Sequence, residues 1–374
     1  MNIGILLPGF SSDNADYAIP VQSSLMALLS QSNDVRVLAL RYPHRRDRYN
    51  AFGAEVISLG YAQARGLRRL LLWRDALRML ARLHHEQPFD VFHAMWADET
   101  GLIATWAGRR LGVPSVVSIL GGELVGLDDI RYGHQRTAFG RWIVGQALRA
   151  DRVITPSDTM QSLIAEAGYQ VPEARHARIH LGADGDRFHP SESPPDLSKP
   201  PYRLLQVASL VPVKDQITLL RAVALLPEVT LDLVGTGSQR AALEHLAENL
   251  RIADRVHFHG AVTFSHLPAL FQQAHLFVLT SRHEANAIAA LEALACGVPV
   301  ITTAVGALPE HPDIAITVPV RDPATLARTI RTLLHDPARY QALRAAALVK
   351  ARNLFDIRIT ARALEKLYQQ LLKK

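Results

Sequence analysis

One stretch constrains the fold more than any other: residues 276–305, LFVLTSRHEANAIAALEALACGVPVITTAV. It opens on a short apolar run, Leu276-Phe277-Val278-Leu279, with the length of a buried parallel strand. A polar turn follows, Thr280 to Glu284, and then Ala287 to Ala295, rich in the strong helix formers Ala and Leu. Gly297 stands where a helix ends, Pro299 follows it, and Val298 to Thr303 is a second β-branched run. Strand, loop, helix and strand make one βαβ unit with a right-handed crossover. Two carboxylates lie along it, Glu284 on the loop and Glu292 about two helical turns further on. The N-terminus of such a helix favours anions, and the loop before it faces the crevice where ligands of parallel sheets bind. The competing reading makes Glu284 a solvated loop residue and Glu292 a surface helix residue.

The chain has 374 residues, which points to two domains. Hydrophobic residues make up 48%, enough for a sizeable core in each. The single cysteine, Cys296, excludes an internal disulfide and fits a reducing compartment. No apolar run has the length of a membrane span, and Met1 to Pro8 reads as a first strand rather than a leader. The location expected is cytoplasmic, with attachment to the inner face of the cell membrane left open. The net charge of +6 fits an anionic surface or substrate. No zinc-ligand spacing or aromatic RNA-binding motif speaks for nucleic acid.

Alternation of strand and helix recurs along the chain. Strands are predicted at Asn2–Leu7, Val35–Leu40 and Ala54–Leu59, at Asp90–Ala94, Ser115–Leu120 and Val153–Pro156, with helices between, one of them over Gly133–Arg149. Arg45, Arg46 and Arg48 beside Tyr42 and Tyr49 read as a basic aromatic loop. Over residues 65–86, Arg65, Arg68, Arg69, Arg74, Arg78 and Arg82 stand against one acid in the same arginine run, Asp75. Two readings remain, a solvated face of a covering helix or a surface for anionic lipid heads. Ser191 to Pro201 is rich in Pro and Ser and reads as a linker. The βα pattern then restarts and runs to covering helices near the C-terminus. The fold class predicted is α/β, two doubly wound parallel sheets. Val234-Gly235-Thr236-Gly237 lacks the third glycine of a dinucleotide fingerprint, because Arg240 stands there.

Glu284, Glu292, Ala293, Ala295, Gly297, Pro299 and Val300 together resemble the signature of GT-B retaining glycosyltransferases of family 4, also called glycosyltransferase group 1. The resemblance covers nearly the whole chain. It implies two Rossmann-like domains facing a central cleft. Residues 1–190 would bind the acceptor, with the helix over 356–374 crossing back, and 201–355 would bind a nucleotide sugar. It implies a retaining, metal-independent hexosyl transfer from a UDP- or GDP-linked sugar to a glycan or lipid-linked acceptor, in polysaccharide, lipopolysaccharide or glycolipid biosynthesis, with no cofactor and no metal.

By the same resemblance Glu284 and Glu123 are catalytic. Lys214 holds the donor diphosphate, Ser209 stands where the family has Arg, and Glu292 binds the ribose hydroxyls. Gly235 and Thr236 approach the base, while Arg282, Asn286, Ala287 and Ile288 line the sugar and phosphate. On the acceptor side stand Asp16 and Tyr17, in place of a glycine pair, with Trp96, Gly121 and Gly122. Leu120 replaces the family's His, and Ala285-Asn286-Ala287 replaces a Gly-rich turn. These departures bear on donor and acceptor identity more than on the reaction class. The runner-up is an epimerase or phosphorylase-like enzyme on the same scaffold, and Ser209, Leu120 and the lost glycine pair suggest as a further alternative a catalytically weak binding or assembly partner.

Overall fold

Short β-branched runs alternate with helices, and in the computed structural model, which describes residues 1–64 and 66–373, they build two units. The first comprises Met1–Leu181 and Ile357–Lys374, the second Gly182–Asp356. Unit 1 begins β1 (Asn2–Gly9), α1 (Pro20–Leu29), β2 (Asp34–Tyr42), β3 (Arg46–Ala51), β4 (Ala54–Leu59), α2 (Leu67–Glu86), β5 (Val91–Ala94) and α3 (Glu99–Leu111). It continues β6 (Ser115–Ser118), α4 (Ala138–Ala147), β7 (Arg152–Thr155), α5 (Asp158–Glu166) and β8 (His176–Arg178). The strands form one sheet ordered β3-β4-β2-β1-β5-β6-β7-β8. All pairings are parallel except β3 with β4.

Unit 2 holds β9 (Tyr202–Val207), α6 (Gln216–Ala224), β10 (Val229–Val234), α7 (Arg240–Asn249), β11 (Val256–Gly260), α8 (Leu267–Gln273) and β12 (Leu276–Leu279). After these come α9 (Ile288–Ala295), β13 (Val300–Thr303), β14 (Ala315–Val318), α10 (Pro323–Leu334) and α11 (Pro337–Asn353). Its sheet is parallel throughout and ordered β11-β10-β9-β12-β13-β14. Leu204, Leu231, Val278 and Ile301 pack one face of it against Leu219, Val223 and the inner stripe of α10, Leu326, Ile330 and Leu333. Strand order reverses beside β1 in unit 1 and beside β9 in unit 2. Loops leaving the C-terminal ends of β1, β5, β9 and β12 are therefore where each sheet presents ligand-binding groups.

The last helix, α12 (Ile357–Leu372), belongs to unit 1 and lies on α1. Its Tyr368 is fully buried, and the phenol meets His93 Nδ1 at 2.6 Å while His93 Nε2 meets Ser118 Oγ at 2.8 Å. Burial pushes the imidazole down to about 3, so it is neutral, with one nitrogen donating and the other accepting. Tyr368→Phe leaves a buried ring nitrogen unpaired and is expected to cost about 1–3 kcal/mol in chemical denaturation.

Three sequence expectations change. Arg46 to Ala51 is not loop but an antiparallel edge strand closed onto β4 by Phe52 and Gly53, both at positive φ. Its charged side chains suit an edge exposed to water, which is why no apolar pattern marked it. The helix expected from Gly133 starts only at Ala138. Thr137 caps it, accepting from Gly140 N at 2.9 Å, and Gly133 turns the chain at φ 94°. Chain division falls at Gly182, before the expected linker. Residues 182–201 pack with unit 2, where Gln272 donates to His189 O and Phe188 packs edge-on against Phe271.

Most of the basic run is paired. Arg46 and Arg74 both meet Asp75, at 3.1 and 3.0 Å. Arg48 meets Glu55 at 2.7 Å, and Arg82 meets Glu86 at 2.9 Å. Arg65 lies outside the described residues.

Candidate functional site

Four loops converge at the C-terminal edge of the unit 2 sheet, and specific bonds stitch them together. Gly235 sits at φ 137°, where a Cβ would come 2.1 Å from Ala208 O, so only glycine lets the turn after β10 lie on the turn after β9. Leu210 N donates to Thr236 O at 2.9 Å across the same junction. Arg282 N donates to Val213 O at 2.8 Å, and Thr280 Oγ1 donates to Lys214 O and Asp215 O. These bonds fasten the loop after β9 to the loop after β12. Ser209 is exposed at its start, and Thr236 is exposed opposite.

At the centre Lys214 Nζ donates to Glu284 Oε1 at 2.5 Å, and Ser281 Oγ donates to the same oxygen at 2.5 Å. Ser281 is in turn held through its carbonyl by Thr303 Oγ1. Gly306, at φ 74°, lies under the loop, where a Cβ would stand 2.9 Å from Glu284 O. Neither Glu284 nor Lys214 is a freely solvated loop residue, since their side chains are only 11% and 24% exposed. The resemblance named Glu284 and Lys214. It gave Gly306 a mainly structural part and did not name Ser281 or Thr303, whose contact spans 22 residues of sequence.

Ala287 takes φ 50° and ψ 53°, the left-handed conformation a glycine would supply, and opens α9. Asn286 is buried, and Arg282 and Ile288 are half-buried around it. A left-handed alanine is strained, so Ala287→Gly is expected to raise stability by about 1 kcal/mol in thermal or urea unfolding.

Glu292 is on the second turn of α9 and almost wholly buried, not on the surface. Burial, and then the charge of Asp184, push its carboxyl up to about 8. Asp184 comes from the segment that enters unit 2, a neighbour that sequence spacing did not indicate.

In unit 1 the residues form two groups. Asp16 accepts from Ser12 N at 2.7 Å and from the Tyr42 phenol at 2.8 Å, a bond that raises the phenol above its usual range. Tyr17 packs edge-on against Phe52 at 5.1 Å. The second group surrounds Glu123, which is buried. Its carboxyl accepts from Ala97 N at 3.2 Å, Leu120 N at 3.1 Å and Gly121 N at 2.6 Å. Burial raises its protonation range, and the charge of Asp98 adds to this. Those three amides make Glu123 the anchor of the turn after β6, holding it to the loop after β5. Trp96 borders Gly121, and Gly122 lies against the Tyr132 ring, where a Cβ would come 2.8 Å away. Here Glu123 holds backbone, whereas Glu284 presents a carboxylate beside a cation.

A family model described as glycosyl transferases group 1 matches residues 191–349, and one described as a glycosyl transferase 4-like domain matches residues 21–182. The chain is 32% identical over 289 residues to a D-inositol 3-phosphate glycosyltransferase of Catenulispora acidiphila, covering 70% of this chain and 68% of that protein. It is 30% identical over 347 residues to the glycogen synthase of Mycobacterium tuberculosis, covering 89% and 80%. Among solved structures it superposes on a sucrose-phosphate synthase from Thermosynechococcus elongatus with a TM-score of 0.82 at 22% identity, covering 100% and 99% of the two chains. The Anabaena protein HepE in complex with UDP-glucose gives 0.75 at 20% identity, covering 99% and 100%. Those two likenesses show the fold, that of GT-B enzymes. With both halves matched and curated relatives at 30% identity or more, the chain belongs to the group 1 family of GT-B glycosyltransferases.

Proposed function

We propose that this protein is a retaining glycosyltransferase that needs no metal. Unit 2 takes a UDP- or GDP-linked sugar, and unit 1 takes a glycan or lipid-linked acceptor for cell-envelope polysaccharide or glycolipid synthesis on the cytoplasmic side. The observation that carries the reading is the Lys214–Glu284 pair, 2.5 Å apart at the switch point of the unit 2 sheet. A diphosphate draws Lys214 toward the leaving group, and Glu284, relieved of that partner, faces the positive charge that develops on the sugar. Ser281 keeps the carboxylate in place as the cation moves. Transfer breaks the sugar–phosphate C–O bond and forms the acceptor C–O bond on the same face. The acceptor proton goes to the departing phosphate oxygen. Glu292 receives the ribose hydroxyls. Two proteins of the same fold support the nucleotide sugar and the pathway: HepE is seen with UDP-glucose, and WaaG is a glycosyltransferase involved in lipopolysaccharide biosynthesis.

A panel of nucleotide sugars in a thermal-shift assay tests the donor, because a ligand bound only by the folded state raises its melting temperature. One nucleotide class is expected to bind, with an unchanged shift in EDTA and an unchanged anomeric configuration in the product by NMR. No shift with any nucleotide sugar would favour a binding or assembly partner, for which Ser209 in place of Arg is the supporting feature. Donor isomerisation without an acceptor would favour the epimerase reading.

A further inference from the structure

The apolar surface of unit 1 is concentrated at one place. Leu67, Leu70 and Leu71 at the start of α2 are exposed, Leu67 by 81%, and so are Phe139 and Trp142 on α4. Positions 67, 70, 71, 74 and 78 fall on one face of α2, so the leucines run on into Arg74 and Arg78. Behind them the rings of Trp73, Trp106, Phe139 and Trp142 lie 6.1–6.3 Å apart, three of the four tryptophans of the chain. Arg69 lies over the Phe139 ring at 4.8 Å.

The charge around this patch is positive. Its two nearby acids are already neutralised, Glu99 by Arg41 and Arg69, and Asp75 by Arg46 and Arg74. Arg68 and Arg78 are exposed and make no ion pair among the described residues. Among the same residues no helix is long and apolar enough to cross a membrane. Leucines beside indoles and arginines form the pattern of a helix that lies in the plane of an interface, with the aromatic rings at headgroup depth.

We infer that the start of α2, with Phe139 and Trp142 of α4, docks on an anionic lipid bilayer. The leucines enter the headgroup–acyl boundary, and Arg68 and Arg78 meet the phosphates. This surface differs from the ion-paired arginines downstream on the helix, which the basic run alone would have selected. It rests on the reading of a lipid-linked acceptor only for its purpose, because attachment is measured without turnover.

Sedimentation of the full chain with phosphatidylglycerol-containing and pure phosphatidylcholine vesicles tests it. Binding is expected to the anionic vesicles and to weaken between about 0.1 M and about 1 M salt, as the Debye length falls from about 10 to about 3 Å. Leu67→Ser/Leu70→Ser/Leu71→Ser should lower partitioning by about tenfold or more through lost apolar burial. Arg68→Gln/Arg78→Gln should flatten the salt dependence. Brominated lipid should quench native tryptophan fluorescence and quench Trp142→Phe less. All three variants should keep the native melting temperature and shift with nucleotide sugar, which separates this proposal from the transferase reading. Equal partitioning of the native and triple-serine proteins overturns it. So does a lipid-free, concentration-dependent dimer that the triple-serine variant dissolves, since the patch then faces a second copy.

Discussion

Glu292→Gln is expected to make the protein more stable in alkali while weakening its hold on a nucleotide. The native carboxyl ionises near pH 8, against 4.5 for an ordinary glutamate. Between those values the folded chain binds a proton that the unfolded chain has released, so its stability falls as pH rises. At about 1.36 kcal/mol per unit, the loss that accumulates by pH 9 is on the order of 4–5 kcal/mol. Glutamine keeps the shape and carries no such dependence. Denaturation curves of the two proteins should therefore coincide near pH 4.5 and separate steadily up to about pH 8, with the variant ahead. Nucleotide affinity should show the opposite trend. An ionised Glu292 accepts two hydroxyl hydrogens through charge-assisted bonds, and glutamine does not. The deficit of the variant should open as pH passes 8 and reach about 1.5–3 kcal/mol. Parallel stability curves would show that the carboxyl is not desolvated. Equal affinities at pH 9 would remove Glu292 from the nucleotide.

The Lys214–Glu284 pair gives the second large effect. Lys214→Met removes the cation and leaves a mostly buried carboxylate with Ser281 alone, which is expected to cost about 2 kcal/mol of stability, between an exposed and a buried pair. Adding Glu284→Gln removes the stranded charge and should restore most of that loss. Activity should not return. Each single variant is expected to lower kcat by roughly 10²–10³, as when one electrostatic group is taken from a transition state, and the double variant should be no better. A double variant that recovers both stability and turnover would make the pair structural. Lys214→Met should also weaken a nucleoside diphosphate far more than the bare nucleoside.

Residues 276–305 were readable as a βαβ unit because strand, loop and helix are each marked locally, by branching, by polar residues and by Gly297. The same locality made Glu284 and Glu292 visible. What lay hidden depends on approach through space. Ser281 and Thr303 look like ordinary strand-end hydroxyls until the β12–β13 pairing puts one on the other. Glu123 stands where the resemblance expects an acid, and the turn Leu120-Gly121 folds its own amides onto that carboxyl, a geometry no spacing rule announces. β3 was missed because an edge strand in water has no apolar alternation to display. The arginines of α2 were counted as one field, and only the fold shows that Asp75, Glu86 and Glu99 take up most of it.

The placement of α12 also has a consequence for synthesis. Unit 2 is one unbroken run of chain, entering at Gly182 and leaving at Asp356, and its ends are joined side by side where Ala183 N donates to Phe355 O at 2.8 Å. It is in effect an insert within unit 1. A ribosome making this protein finishes every residue of the inner unit while the outer one still lacks its final helix and the phenol that closes on His93. The half begun first is thus the half completed last. A premature stop before Ile357 should release a sound second unit tethered to a damaged first one, and co-expressing residues 357–374 as a separate peptide should repair the damage.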